Sequence, residues 1–302
     1  MKYADLCKKV SDQIADAIEA GTANGKWELP WYSLGQAKNA RTGATYKGMN
    51  WLLLSHLPWW ATYNQWQDLG LQVKKGETAT PGMFWGPITR KNKATGAYED
   101  VLDDNGRRRV AGRGFSVFSY EQVEPRSDEK WVASGKVPWT PPPAEAAGAE
   151  VLDHAEALIE ALAPRVEHHG DRAYYAPVID VIVLPPRDQF HSTEGYYATK
   201  FHEVGHWTGH ESRLARKYGW AGSDDYAFEE LVAELTAAMV CAAVGISPEP
   251  RPDHAVYVKG WLSKLRSDPT ALPRAAGLAT KAANFILTGG EVPSKEKEEV
   301  AA

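Results

Sequence analysis

Two histidines and a glutamate carry the most pointed chemistry in this 302-residue chain, in the run His202-Glu203-Val204-Gly205-His206. Residues four apart share one face of an α-helix, so both imidazoles can grip one divalent ion, at about 2.0–2.1 Å for Zn2+. Glu203, one residue on, falls beside such an ion instead of on it. There it can take a proton from a water that the ion polarises and pass it to a leaving amine. A catalytic ion also needs a third protein ligand and an open position. The run Glu229-Glu230-Leu231-Val232-Ala233-Glu234 offers one. Glu230 and Glu234 share a helical face, and carboxylates are costly in a buried helix unless paired or bound to a cation. We expect Glu230 as the ligand, Glu229 as its alternative, and Glu234 to hold the far nitrogen of a ligand histidine. His210 is not expected to bind the ion. In the longer pattern with a third histidine after a glycine turn, that histidine stands where this chain has Ser212. Zn2+ is the expected cofactor, with Mn2+ or another divalent transition metal as the alternative.

The surrounding pattern supplies the elements that must hold these groups. Ser192 and Thr193 are helix-capping types, which starts a helix that carries the histidines and ends near Gly209. An apolar strand over 178–184, stopped by Pro185-Pro186, precedes it, and a helix over 226–244, apolar almost all round, follows. Further helices are expected over 151–163, 254–265 and 274–287, so the rear half reads as mainly helical with a small sheet. The front half reads as mixed. Leu6, Val10, Ile14 and Ile18 mark an amphipathic helix ended by Gly21. Short helices over 50–54 and 62–69 follow, then strands around 83–85, 97–98 and 114–118, with Asp104-Asn105-Gly106 as a tight turn.

Between the halves, Pro138 and Pro141-Pro142-Pro143 exclude a helix or a central strand. The expected fold class is therefore α+β in two domains. Residues 1–134 form the first, 135–149 a proline-rich linker, 150–290 the second, and 291–302 a flexible tail.

Composition narrows the function classes. Hydrophobic residues make up 43% and charged residues 24%, ordinary for a globular chain. No apolar run approaches the ~18 residues of a membrane span, and the first residues lack the apolar core of a signal peptide. Two cysteines, Cys7 and Cys241, give neither a disulfide framework nor a thiolate metal pattern, so a cytoplasmic location is expected. The net charge of −5 is too weak for an acidic mimic of DNA. It divides unevenly: residues 1–135 hold 18 Lys/Arg against 15 Asp/Glu, and the remainder 16 against 24.

A longer phrase is more specific than the bare motif. Phe201-His202-Glu203-Val204-Gly205-His206-Trp207-Thr208-Gly209-His210, then Ser212-Arg213-Leu214, Tyr226 and the acidic run 229–234, closely resembles the plasmid-encoded antirestriction proteins of the ArdC family. Tyr46-Lys47-Gly48-Met49-Asn50-Trp51-Leu52-Leu53-Leu54 and Trp60-Ala61-Thr62-Tyr63-Asn64-Gln65 extend the match to the front half. Met49 departs from the branched aliphatic often found at that place. The resemblance implies a single-stranded-DNA-binding front domain, a zincin-like zinc metallopeptidase behind it, and a role in the survival of conjugating plasmids in a restricting host. By analogy with zincins, the strand over 178–184 would pair with an extended substrate. The implied partners are single-stranded DNA and a protein substrate, with no membrane. The alternative is a DNA-covering shield whose metal is structural and not catalytic.

The residues themselves give partial support for DNA binding. Nine of the twelve tryptophans lie at or before residue 139, interleaved with basic residues, as stacking platforms beside a phosphate-tracking groove would be. Most of those tryptophans are nonetheless expected in the core. Arg41, Tyr46 and Lys47 around the Thr42-Gly43 turn, and Lys74 and Lys75 ahead of Gly76, are the candidate contacts.

Overall fold

The computed structural model describes residues 3–23, 35–93, 95–106, 108–142, 150–219, 223–246 and 254–291. The expected tail, save Glu291 itself, and part of the expected linker, 143–149, lie outside these residues.

The amphipathic stripe at the N-terminus forms α1 (Tyr3–Ala23), which runs past Gly21. Its buried Leu6, Val10 and Ile18 face the helices His254–Ser267 and Ala271–Leu287, and α1 also touches the strand Val110–Ser119. They join the core of the rear-half helices. In the front half, β1 (Lys38–Asn39) leads to α2 (Met49–Leu54), β2 (Trp59–Ala61), α3 (Tyr63–Asp68) and β3 (Leu71–Val73). Thr62 caps α3 in a reciprocal box: its hydroxyl accepts from Gln65 N at 3.3 Å, and Gln65 Oε1 accepts from Thr62 N at 2.9 Å. Then come β4 (Thr80–Pro87), β5 (Thr89–Lys91), β6 (Tyr98–Asp100), β7 (Val110–Ser119), β8 (Val123–Pro125) and the short α4 (Glu129–Ala133). The main sheet has the order β1-β2-β7-β4, with β4 and β7 antiparallel from Thr80 opposite Val117 to Pro87 opposite Val110. The β5–β6 pair extends from it as an exposed ribbon.

The tryptophans mostly build this half. Trp51, Trp60 and Trp66 are buried, and Trp59 and Trp139 pack edge to face with ring centroids 5.3 Å apart. Trp139 lies in the proline-rich stretch, which has no helix or strand over 136–142, yet its backbone N–H donates to Leu69 O at 2.9 Å. This part of the stretch is thus anchored to the front half.

The rear half comprises α5 (Glu150–Leu162), β9 (Val166–His168), β10 (Tyr174–Ala176), β11 (Val181–Leu184), α6 (Thr193–Trp207), α7 (Asp224–Val244), α8 (His254–Ser267) and α9 (Ala271–Leu287). Ser192 caps α6 by accepting from Gly195 N at 2.9 Å, and Gly245, at φ 81°, ends α7. The strand expected over 178–184 is shorter in the structure. The apolar run over 178–184 is a strand only from Val181; Val178 and Ile179 are 96% and 65% exposed in a turn that leaves Asp180 at φ 52°. β11 is also the middle strand of the order β10-β11-β9. Both its edges are already hydrogen-bonded, so it has no free ladder for a substrate.

Two contacts position the histidine helix and join the halves. α6 lies against α7 so closely that a Cβ on Gly205 would stand 3.3 Å from Ala233 Cα and O. That is a tighter contact than a Cβ normally makes, so the missing side chain at Gly205 eases the close approach of the two backbones. The halves also share one core: Met49, Trp51 and Leu52 of α2 join α7 and α9 in it.

Candidate metal centre

The close approach at Gly205 brings the inward face of α6 onto the acidic turn of α7. His202, His206, Glu229, Glu230 and Glu234 are all buried, between 2% and 8% exposed. One ligand atom from each of His202, His206 and Glu230 can be chosen so that all lie within 4.8 Å of one another. His202 Nε2 is 3.4 Å from Glu230 Oε2, and His206 Nε2 is 3.6 Å from Glu230 Oε1. Two donors at ~2.1 Å from a tetrahedral ion stand about 3.4 Å apart, so these spacings fit a divalent metal of zinc size. Two imidazoles and one carboxylate also suit such an ion chemically.

The other ring nitrogens face different carboxylates. His202 Nδ1 lies 3.2 Å from Glu234 Oε2, and His206 Nδ1 lies 3.4 Å from Glu229 Oε1. A carboxylate at Nδ1 fixes the tautomer with its lone pair at Nε2, toward the shared centre. Glu229, weighed as an alternative ligand, is thus turned away from the convergence point. It is held there by Arg216, whose Nη2 donates to Glu229 Oε1 at 2.6 Å and whose Nε donates to Glu229 Oε2 at 3.0 Å. The same guanidinium donates to Gly205 O at 2.7 Å and Thr208 Oγ1 at 2.8 Å. Tyr218 OH donates to His206 O, and a Cβ on Gly209 would strike the Tyr218 hydroxyl and the Arg216 guanidinium. The loop after α6 therefore folds back on the histidine helix and inserts a buried cation. Arg216 and Tyr218 were not legible in the sequence; neither lies on a periodic element.

Charges in this pocket shift one another. Burial pulls the His206 imidazole down, but Glu230, Glu229 and Glu203 outweigh it and hold the group up at about 10. Burial pushes the Glu230 carboxyl up, and the two histidines reverse this to well below the usual carboxylate range. Glu229 is also raised by burial and brought below its ordinary value by His206 and Arg216. Glu203 is buried on the same helix and acts electrostatically on His206. His210 sits at the helix end, with its Nδ1 2.8 Å from Ser212 Oγ, outside the donor cluster.

Known proteins resemble this chain in both sequence and fold. A family described as the N-terminal domain of anti-restriction factor ArdC matches residues 4–118, and one described as zincin-like metallopeptidase matches 153–278. Protein y4eC of Sinorhizobium fredii is 36% identical over 296 residues, covering 93% of this chain and 91% of that protein. The crystal structure of the antirestriction ArdC protein from plasmid R388, in its metal-free form, superposes with a TM-score of 0.72 at 33% identity, covering 95% of this chain and 98% of that one.

The chain belongs to the ArdC antirestriction family.

The Mn(II)-bound structure of the R388 protein is similar as well, with a TM-score of 0.71 and 32% identity over 94% of this chain and 98% of that one. DNA primase TraC of Escherichia coli is 36% identical over 293 residues, but this ArdC-family chain spans only 19% of its length. The family has two domains, a mixed front unit and a mainly helical zincin-like unit, as the structure here does. The rear unit is a zincin-like domain whose donor cluster suits a divalent metal.

The candidate DNA contacts are not drawn into one cluster by any bond among them. Arg41 is exposed and ion-paired with Asp68 at the end of α3. Tyr46 is half-buried, stacked on Phe115 with ring centroids 6.4 Å apart, and its hydroxyl accepts from Asn39 Nδ2 at 3.0 Å. Lys47 and Lys75 are exposed, and Lys74 Nζ donates to Glu121 O at 2.8 Å. The large exposed aromatics of the front half are Tyr63, Phe84 and Tyr98, among the described residues. Across the β5–β6 ribbon Lys91 stands opposite Tyr98, Arg90 opposite Glu99 and Thr89 opposite Asp100. No described helix is long and apolar enough to cross a membrane.

Proposed function

We propose that this protein is a metal-dependent peptidase that binds single-stranded DNA and helps incoming plasmid DNA survive in a restricting host, acting in the cytoplasm on a protein substrate. The observation that carries the peptidase reading is the convergence of His202 Nε2, His206 Nε2 and the Glu230 carboxylate, with Glu203 buried on the same helix. Residues 1–134 would bind DNA, and 150–290 would carry the chemistry. The similar R388 protein, crystallised with Mn(II), supports Mn2+ beside Zn2+ as the ion.

His202, His206 and Glu230 would hold the ion, and Glu234 and Glu229 would orient the two rings through their Nδ1 atoms. When bound, the ion supplies Lewis-acid polarisation of a peptide carbonyl and acidifies a neighbouring water. Glu203 takes the proton from the attacking water and returns it to the leaving amine, a role worth typically ~10^2–10^4 in rate. The placement of a DNA-binding unit on a peptidase points to substrates that act near single-stranded DNA.

Burial of the donors also suits a structural metal in a protein that merely covers DNA. Glu203→Ala separates the readings. Loaded with Mn2+ or Zn2+, it should keep its metal content and oligonucleotide affinity but lose cleavage of a peptide library and protection of transferred plasmid DNA. Unchanged protection by this variant would exclude peptidase chemistry from the phenotype.

A further inference from the structure

A cavity of about 150 Å3, open to solvent, lies where the two halves meet. Tyr46, Lys47 and Trp51 are among the residues that line it from the front half, with Gln36, and Met239 and Asn284 among those from α7 and α9. Its aromatic walls are fixed: Tyr46 by Phe115 and Asn39, and Trp51 by its indole N–H donating to Gly35 O at 3.1 Å. The junction beneath is also fixed, because Gly48 N donates to Thr280 Oγ1 at 2.9 Å. On its other side, Asn50 holds the Met83 backbone, accepting from Met83 N at 2.8 Å. The segment over 46–54 is thus a bridge between β4 and the metal-bearing half, and the cavity sits against it.

We propose that this cavity receives one nucleobase of single-stranded nucleic acid, stacked at the seam between the two units. The inference rests on the single-strand-binding reading and deepens it by naming a subsite. Size is the first argument, since an apolar cavity of ~150 Å3 accommodates one benzene ring, the footprint of a pyrimidine. Chemistry is the second. Aromatic side chains offer a base its stacking faces, and the side-chain amides of Gln36 and Asn284 carry both donors and acceptors, as a base edge requires. Among the described residues neither amide has a hydrogen-bond partner, so neither must break a bond to turn toward a base. Lys47, exposed at the same wall, is placed for the attached phosphate. A base bound here would touch Met239 on α7, the helix that also carries Glu229, Glu230 and Glu234.

The test fills the cavity and removes the base independently. Ala283 lines the cavity, and Ala283→Leu projects new volume into it; Asn284→Leu removes an amide without adding bulk. Binding of labelled oligothymidylate and of the same strand with abasic positions is measured by fluorescence anisotropy, with unfolding and metal content as controls. Stacking of one base corresponds to roughly 5- to 100-fold in affinity. Wild type should bind the abasic strand that much more weakly, Ala283→Leu should bind the intact strand that much more weakly, and the two losses should not add. Asn284→Leu should show a smaller loss and serves if Ala283→Leu does not fold. A folded Ala283→Leu with wild-type affinity, or an abasic penalty undiminished in it, overturns the pocket while leaving single-strand binding intact. Thymidine monophosphate provides the other arm. If wild type binds no oligonucleotide but takes this nucleotide, and Ala283→Leu abolishes that, the base site stands and its source is a free nucleotide. Binding of neither ligand overturns both readings.

Discussion

Arg216 provides the sharpest test of how the centre is held. Its guanidinium and the Glu229 carboxylate are each 4% exposed by side chain, and the pair is bidentate. Removing one member of a buried, hydrogen-bonded ion pair costs about 3–5 kcal/mol, because the other charge stays desolvated. Arg216→Ala also strips a donor from Gly205 O and another from Thr208 Oγ1. Metal-free Arg216→Ala should therefore unfold at a urea midpoint lower by roughly 1 M or more, with a slope of ~3 kcal/mol/M. Replacing both partners with apolar residues, Arg216→Leu with Glu229→Leu, should recover most of that loss, since buried pairs often tie with hydrophobic replacements. Metal affinity should not recover with it. His206 Nδ1 would have lost the carboxylate 3.4 Å away, and loss of such an orienting partner costs about 10–100-fold in affinity. Competition with a chromophoric chelator measures this. A double variant that binds Mn2+ or Zn2+ as tightly as wild type would refute the orienting role of Glu229, and an unshifted Arg216→Ala midpoint would refute the stability argument.

Glu230→Ala should abolish stoichiometric metal binding, whereas Glu234→Gln should only weaken it by about 10–100-fold, as elemental analysis and chelator competition would show. Metal uptake should release protons. His206 is held up at about 10 in the metal-free cluster, and an ion requires the neutral ring, so close to one proton should leave per ion at neutral pH and affinity should rise with pH until about 10. Calorimetry in two buffers of different ionisation enthalpy reads the number directly. By the same sign, a protonated His206 stabilises the metal-free protein below its unfolded value of 6.5, and that contribution fades as pH rises through about 10. Gly205→Val should separate α6 from α7, because its first added carbon already stands 3.3 Å from Ala233 backbone atoms; about 1–3 kcal/mol of stability and most metal affinity should be lost.

What could be read from the sequence follows from what a periodic element encodes. His202 and His206 were legible because helical spacing alone puts both on one face, and α7 because acids in an otherwise apolar helix demand a partner. The choice between Glu229 and Glu230 was not. Successive residues point about 100° apart on a helix, so the one that faces the histidines depends on how α6 crosses α7, which Gly205 and Ala233 set through space. Arg216 lies outside any repeat and is found only once the loop closes on Glu229. The strand before α6 was overextended because Val178 and Ile179 have the composition of a strand, yet they are exposed in a turn. For α1, the apolar stripe announced that something covers it, and nothing in the stripe said that the cover is α8 and α9, where Arg266 meets Asp16 at 2.5 Å and Glu19 at 3.2 Å. Tryptophan counts suffered the same limit: Trp51, Trp60 and Trp66 went to core, and exposed aromatic surface came instead from Tyr63, Phe84 and Tyr98.

The electrostatics of the centre argue for a divalent ion independently of its shape. Four carboxylates, those of Glu203, Glu229, Glu230 and Glu234, are buried around two imidazoles, with Arg216 as the internal cation paired to Glu229. Fully ionised carboxylates with neutral rings would leave that enclosure strongly negative, which burial makes costly. A proton on His206 offsets part of that deficit, and Glu230, Glu229 and Glu203 hold the ring charged against its own desolvation. A divalent ion would supply twice that charge where Nε2 of both rings and the Glu230 carboxylate converge, and would free the proton. Loading the site and releasing a proton are therefore one event, which the proton count per ion reads out.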